Sequence, residues 1–336
     1  MIDPRGRWSA IGEKPDYAGL LTFAGLPYTE DAADLAGVDV AIVGAPMDDL
    51  VSDRPGTSFA PRAIRAASSP PGPHLEAGVN AFEELRVVDF GDAAVMPGDP
   101  RRSHAAIEAV VGEVLAAGSM PLVLGGDHSI TEPSVRTCVA RHGPLGVVHF
   151  DTHTDTGEEV FGVQFSHGTF MRALVDDGQV DAPRYAQIGL RGYWPGDREF
   201  AWQAERGITS LFMHDVRDLG IREVVARALA VVGGGPAYLT VDIDVLDPAF
   251  VPGTGTPEPG GLTSAELLWA VRELARELEL VGADLVEVIP TQVGTADASS
   301  LVADRIVREI LTGIALRRRA AADTDAEQLD GHATST

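Results

Sequence analysis

Lysine is almost missing from this chain of 336 residues: of its 26 basic residues only Lys14 is not arginine. With abundant Ala, Gly and Val, that is a bias of composition and points to no function. Cysteine is as scarce. The single Cys138 cannot close an intrachain disulfide, which excludes a disulfide-stapled scaffold and leads us to expect a cytoplasmic protein. Positive charge is in deficit, with 50 acidic residues and a formal net charge of −24. This argues against nucleic acid and anionic membranes as partners, and fits a small cationic substrate or simple solubility. No apolar run reaches about 18 residues, and the opening MIDPRGRWSAIGEKPD has no apolar signal segment. Membrane-spanning and secretory readings are therefore not expected.

What is present is a 45% apolar chain, enough for a large core in one α/β domain. Eight apolar, β-rich runs occur at about 38–44, 85–90, 121–125, 145–150, 186–190, 209–213, 237–243 and 283–289. They are near-continuously apolar rather than alternating, which predicts strands covered on both faces, as in a parallel sheet. Helical patterns separate them. One opens at Ser103 as N-cap and ends at Gly118. Another carries the capping box Thr263-x-x-Glu266, and a third covers about 301–318. The expected fold is a three-layer αβα sandwich around a mostly parallel eight-stranded sheet. Residues 1–30 read as an irregular arm, 31–319 as a single catalytic domain and 320–336 as a small, polar, disordered tail.

Ligands gather at the carboxyl ends of strands in such sheets, and the polar clusters lie there. Gly125-Gly126-Asp127-His128-Ser129 follows one run and Asp151-Thr-His153-Thr-Asp155 another; Asp242-Ile-Asp244 closes a third and Glu287 a fourth. Period-two spacing would put Asp151, His153 and Asp155 on one strand face, and Asp242 and Asp244 on another. So many buried like charges are costly unless a cation sits among them. Two histidines and four carboxylates without a thiolate favour Mn²⁺ over Ni²⁺, Zn²⁺ or Fe²⁺, and are too many for one ion. A metal can lower the pKa of bound water from about 15.7 to about 7, roughly 12 kcal/mol, against about 3–5 kcal/mol for a lone general base.

In this order, GGDHS, DxHxD, SHG, DIDVLDPAFVPGTGTPEPGG and DLVEV resemble the ureohydrolase (arginase/agmatinase) family over about residues 38–316. The tract APMDDLVSDRPGTSFAPRAIRAA, the SHGT form and PGTGTPEPGGL look more like agmatinases than arginases. The resemblance implies two Mn²⁺ per chain, with Ni²⁺ as an alternative, and hydrolysis of a guanidino group to urea and an amine by an activated water. It assigns His128, Asp151, Asp155 and Asp242 to one ion, and Asp151, His153, Asp242 and Asp244 to the other. Asp155 would relay a proton to the leaving amine, Glu287 would pair with the guanidinium, and His167 would be an acid/base residue near the mouth. Trimers or hexamers are implied. Thr152, Asp48-Asp49-Leu50-Val51 and Ile289 depart from the family pattern, and none is an implied ligand.

In the loop TGEEVFGVQF, Glu158 and Glu159 could select a cationic tail, which ranks agmatine above arginine and guanidino acids. Arg54 or Arg191 could instead bind the carboxylate of guanidinobutyrate or guanidinopropionate, and free guanidine is a further alternative. Among other polar residues, His149 reads as a hydrogen-bonded core residue, His74, His104, His142 and His332 as surface residues, His214 as structural, Asp247 as a turn former and Cys138 as helix packing. Two other classes compete: an inactive ureohydrolase-like regulator, and a single-zinc deacetylase, whose tandem histidines are absent here.

Overall fold

Each of the eight apolar runs is a strand in the computed structural model, which describes the chain apart from residues 11, 13, 16, 17, 292–296 and 334–336. The strands are β1 (Val40–Gly44), β2 (Val87–Asp92), β3 (Met120–Leu124), β4 (Leu145–Phe150), β5 (Val180–Leu190), β6 (Thr209–Phe212), β7 (Pro236–Asp242) and β8 (Glu279–Val286). They form one sheet in the order β2-β1-β3-β8-β7-β4-β5-β6, with every pair parallel. Helices Ala60–Ala67, Ile221–Val232, Ser264–Glu277 and Ala298–Ala333 bury one face, through Ile64, Val224, Leu267 and Ile310 among others. Helices Pro100–Ala116, Thr131–His142 and Phe170–Asp176 cover the other, through Ile107, Val135, Cys138 and Leu174. Cys138 is thus a packing residue, as expected.

Register decides where the site lies. Leu124 is abreast of Leu285, Leu285 of Val241, and Val241 of Phe150. The four central strands β3, β8, β7 and β4 therefore end in one level row, and the residues following that row face a common space.

Several local expectations are corrected. The helix expected from Ser103 begins at Pro100, with Asp99 accepting from the Arg102 amide at 3.1 Å; proline at the first helical position and a capping aspartate outcompete the serine. Ser103 Oγ instead accepts from the Met96 amide at 2.9 Å. The Thr263–Glu266 capping box is present, at 3.2 and 2.8 Å. The terminal helix runs to Ala333, through the stretch expected to be disordered; its run of alanines favours helix over coil. His74 and His104 are not surface residues. His74 lies against Glu309, 3.0 Å away, and His104 is buried against Ser129 and Phe165. His142 and His214 are exposed, and the side chain of His332 is outside the described residues. The arm at 1–30 has two short 3-10 turns and a bridge from Ile2 to Tyr28. It is pinned where the Phe23 amide donates to Asp89, which also takes both Arg65 Nε (2.8 Å) and Nη2 (2.9 Å). No described helix is long and apolar enough to cross a membrane.

Candidate metal centre

The clusters converge, though not by strand pleat. β4 stops at Phe150 and β8 at Val286, so Asp151, His153, Asp155 and Glu287 all lie beyond strand ends. Turns aim them instead. Asp151 Oδ1 accepts from the His153 amide at 2.6 Å, and Asp242 Oδ1 from the Asp244 amide at 2.8 Å, with Asp244 in the 3-10 turn Ile243–Val245. Asp155 and Glu287 have φ of +51° and +60°, strained values for residues with a Cβ that the surrounding turns hold in place. Gly126 is required where it stands: a Cβ there would lie 2.0 Å from the Met47 carbonyl oxygen.

His128 Nδ1 is the focus of one half of the cluster. It lies 2.9 Å from Asp155 Oδ2, 3.1 Å from Asp151 Oδ2 and 3.3 Å from Asp242 Oδ2, yet makes no hydrogen bond to any of them. In the other half, His153 Nδ1 lies 3.2 Å from Asp244 Oδ2 and 3.5 Å from Asp151 Oδ1. Two sets of mutually close His nitrogens and carboxylate oxygens result: His128, His149, Asp151 and Asp155, and Asp151, His153 and Asp244. Among the described residues no arginine or lysine pairs with any of the four carboxylates. Burial, then their carboxylate neighbours, push Asp155, Asp242 and Asp244 above the usual range. Asp151 is pushed up by burial too, but the neighbouring imidazoles of His128, His149 and His153 carry it well below. Separations of about 3 Å suit donors on ions with bonds of about 2.0–2.2 Å. An unpaired buried nitrogen facing three carboxylates fits a divalent ion.

Glu287 Oε1 accepts from the His128 amide and from His167 Nδ1, both at 2.8 Å, while Oε2 is buried and has no partner among the described residues. His167 Nε2 meets the Ser52 amide at 3.0 Å and Ser52 Oγ at 2.8 Å. Burial pulls the His167 ring down, but the Glu287 carboxylate outweighs it and carries the pKa up to about 9. The Ser52 amide suits the neutral ring and the Ser52 hydroxyl the protonated one, so this residue serves both states.

The segment over the site is held by residues whose purpose the sequence did not reveal. Asp127 Oδ2 accepts from the Leu50 amide at 3.1 Å; burial is the main influence raising Asp127, to about 6. Asp48 accepts from the Gly56 amide and Ser58 Oγ, and Asp49 from the Gly98 amide. The Asp48-Asp49 pair thus folds the loop. Ile289 packs against Gly56 of the same loop, and the Thr152 hydroxyl is buried without a partner among the described residues. At the rim, Glu158 and Glu159 are exposed and Trp194 stands edge-on to His153. Arg191 cannot be a substrate clamp: its nitrogens donate to the carbonyls of Gly189, Asp244, Val245, Leu246, Glu258 and Pro259. Arg54 is 60% exposed, 3.8 Å from Asp53.

Behind the His/Asp cluster stand Thr240, Asp284, Thr131, Tyr238, Tyr185 and Gln187, none singled out from sequence. Asp284, a carboxylate inside an apolar run and abreast of Thr240, was the signal available. It accepts from Thr240, Thr131 and Tyr238 hydroxyls at 2.6, 2.7 and 2.8 Å.

A parallel α/β sheet with a His/Asp metal cluster at its carboxyl edge defines a metal-dependent hydrolase architecture. The chain belongs to the arginase family, whose family model matches residues 38–313, and is an arginase-family hydrolase of guanidino compounds. It is 43% identical to guanidinopropionase of Pseudomonas aeruginosa over 89% of this chain and 93% of that one. It is 40% identical to mitochondrial agmatinase of Gallus gallus, over 76% and 75%. Its fold superposes on proclavaminate amidino hydrolase from Streptomyces clavuligerus with a TM-score of 0.84 at 36% identity, covering 90% of this chain and all of that one.

Proposed function

We propose that this protein hydrolyses the guanidino carbon–nitrogen bond of a small cationic guanidino compound, agmatine first, releasing urea and an amine. The observation that carries the reading is the half-satisfied Glu287 carboxylate beside the metal cluster. One oxygen is committed to His128 and His167, and the other is buried and bare. A guanidinium offers the planar, charge-assisted donors such an oxygen needs.

In this reading His128, Asp151, Asp155 and Asp242 hold one Mn²⁺ and Asp151, His153, Asp242 and Asp244 a second, with Ni²⁺ as the competing ion. Two such ions, when bound, supply a water activated at neutral pH. Asp155 moves a proton to the leaving amine. His167 holds or releases a proton at Nε2, with Ser52 as its partner in either state. Glu287 fixes the guanidinium plane.

Two rim observations support a cationic tail: Glu158 and Glu159 are exposed and make no hydrogen bond or ion pair among the described residues, and Arg191 has no donor to spare. A second reading, a guanidino acid such as 3-guanidinopropionate or 4-guanidinobutyrate, is favoured by the exposed Arg54 and by the likeness to guanidinopropionase. Urea release from agmatine, arginine, both acids and guanidine, with Mn²⁺ and Ni²⁺ compared, tests the proposal. Faster turnover of either acid than of agmatine overturns the first reading. A cytoplasmic location and a homo-oligomer, trimer or hexamer, belong to the same proposal.

A further inference from the structure

Two imidazoles reach the same carboxylate oxygen of the cluster. Asp151 Oδ2 lies 3.1 Å from His128 Nδ1 and 2.8 Å from His149 Nε2, with the ring centroids 4.8 Å apart. Both rings are fully buried, so proximity alone does not separate a metal ligand from a hydrogen-bond donor. The far nitrogens do.

His128 Nε2 meets Thr240 Oγ1 at 2.8 Å. That hydroxyl spends its only proton on Asp284 Oδ1 at 2.6 Å, so towards His128 it can only accept. The proton of His128 must then sit on Nε2, and Nδ1 faces the carboxylates as a bare lone pair. His149 is presented the other way round. Its Nδ1 lies 2.8 Å from the Tyr185 hydroxyl and 3.2 Å from Gln187 Nε2. Gln187 Nε2 donates to Tyr185 Oη at 2.8 Å and to the Thr154 carbonyl at 2.7 Å. The Tyr185 oxygen is occupied by an incoming donor, and its own proton points to His149 Nδ1. That nitrogen accepts, and Nε2–H faces Asp151.

We infer that the two buried relays, Asp284–Thr240–His128 and Gln187–Tyr185–His149, sort the histidines of this site into one metal ligand and one donor. Both rings carry the proton on Nε2, but they turn opposite edges to the cluster. His149, although it lies among the grouped donors, coordinates nothing; it fixes the orientation of Asp151 and spreads the negative charge of its Oδ2. Thr240, Asp284, Tyr185 and Gln187 are positioning residues acting through these rings. Outer partners of this kind commonly govern ligand orientation and affinity. The inference rests on the metal reading above and extends it from the ligands to what makes them ligands.

The test is nitrogen-15 NMR of the full chain labelled at histidine and loaded with Zn²⁺, a diamagnetic probe. His128 is expected to show a metal-shifted Nδ1 and a protonated Nε2. His149 should show a bare Nδ1, a protonated Nε2 and no metal shift. A metal-shifted or unprotonated Nε2 on His149 overturns the inference. Calorimetric titration of metal-free protein with Mn²⁺ supplies the second arm. Thr240→Val should weaken binding roughly 10–100-fold, with Thr240→Ser restoring it. The double variant Tyr185→Phe, Gln187→Leu, which removes the hydroxyl donor to His149 Nδ1 and the amide that orients that hydroxyl, should release the fixed tautomer and weaken binding by a similar factor. Wild-type affinity in Thr240→Val, or a wild-type His149 tautomer in the double variant, overturns the corresponding relay. Uptake of fewer than two ions per chain would sink the binuclear reading; uptake of two with His149 among their ligands would sink this inference alone.

Discussion

Glu287 shows how much one residue is asked to do. Its backbone is held at φ +60°, one carboxylate oxygen ties the His128 amide to His167, and the other stays bare among the described residues. Glu287→Gln keeps the shape and removes the charge. We expect a loss of roughly 2–5 kcal/mol, about 1.5 to 3.5 orders of magnitude in kcat/KM for agmatine, read by urea release. His167 makes a second prediction. Its folded pKa, about 9, stands above the ordinary 6.5 because the Glu287 pairing outweighs burial. The folded state therefore binds the proton more tightly than the unfolded one. The pairing's contribution is fully present below about pH 6.5 and is lost as pH rises through about 9. Melting of metal-free wild type and His167→Asn, compared from pH 6 to 10, should show the gap between them closing with rising pH. A gap that widens would refute the pairing.

At the scale of elements, the sheet was legible because its strands are apolar on both faces and the helices between them carry period and caps. The eight runs and the clusters at their ends could be read directly. The mechanism of convergence could not. Spacing suggested that the pleat gathers Asp151, His153 and Asp155, whereas turns beyond the last strand residue do so, and turn geometry at Asp155 depends on contacts distant in sequence. The roles of Asp48 and Asp49 were illegible for the same reason: their partners, Gly56, Ser58 and Gly98, are set by tertiary packing. So were the relays, since Thr240 reads as an ordinary strand residue until β8 places Asp284 beside it. Gly126 offers a test of this junction. Gly126→Ala puts a Cβ against the Met47 carbonyl at 2.0 Å, which neither backbone can yield cheaply. A destabilisation of roughly 3 kcal/mol in urea unfolding is expected.

For the molecule as a whole, charge links stability to substrate. Removing metal with a chelator leaves Asp155, Asp242 and Asp244 with pKa values raised first by burial and then by carboxylate neighbours. Because the folded state then favours the protonated acids, the metal-free protein should melt lower than the Mn²⁺-loaded one at pH 7, and the deficit should shrink as pH falls through that raised range. The net charge of −24 makes a separate prediction. Turnover of agmatine, a dication, at low concentration should fall as salt is raised, while that of a guanidino acid, a zwitterion without net charge, should change little. Equal salt dependence for both would show that the global field does not reach the mouth.

Within a hydrolase of guanidino compounds, the protein keeps a guanidinium of its own, that of Arg191, in a nest of carbonyl oxygens, one of them belonging to Asp244. Cutting that side chain back in Arg191→Gly would leave a vacancy shaped for the free ion. Millimolar guanidinium chloride, ordinarily the first step towards unfolding, should then act as a prosthesis and raise the melting temperature of this variant while leaving the parent unimproved.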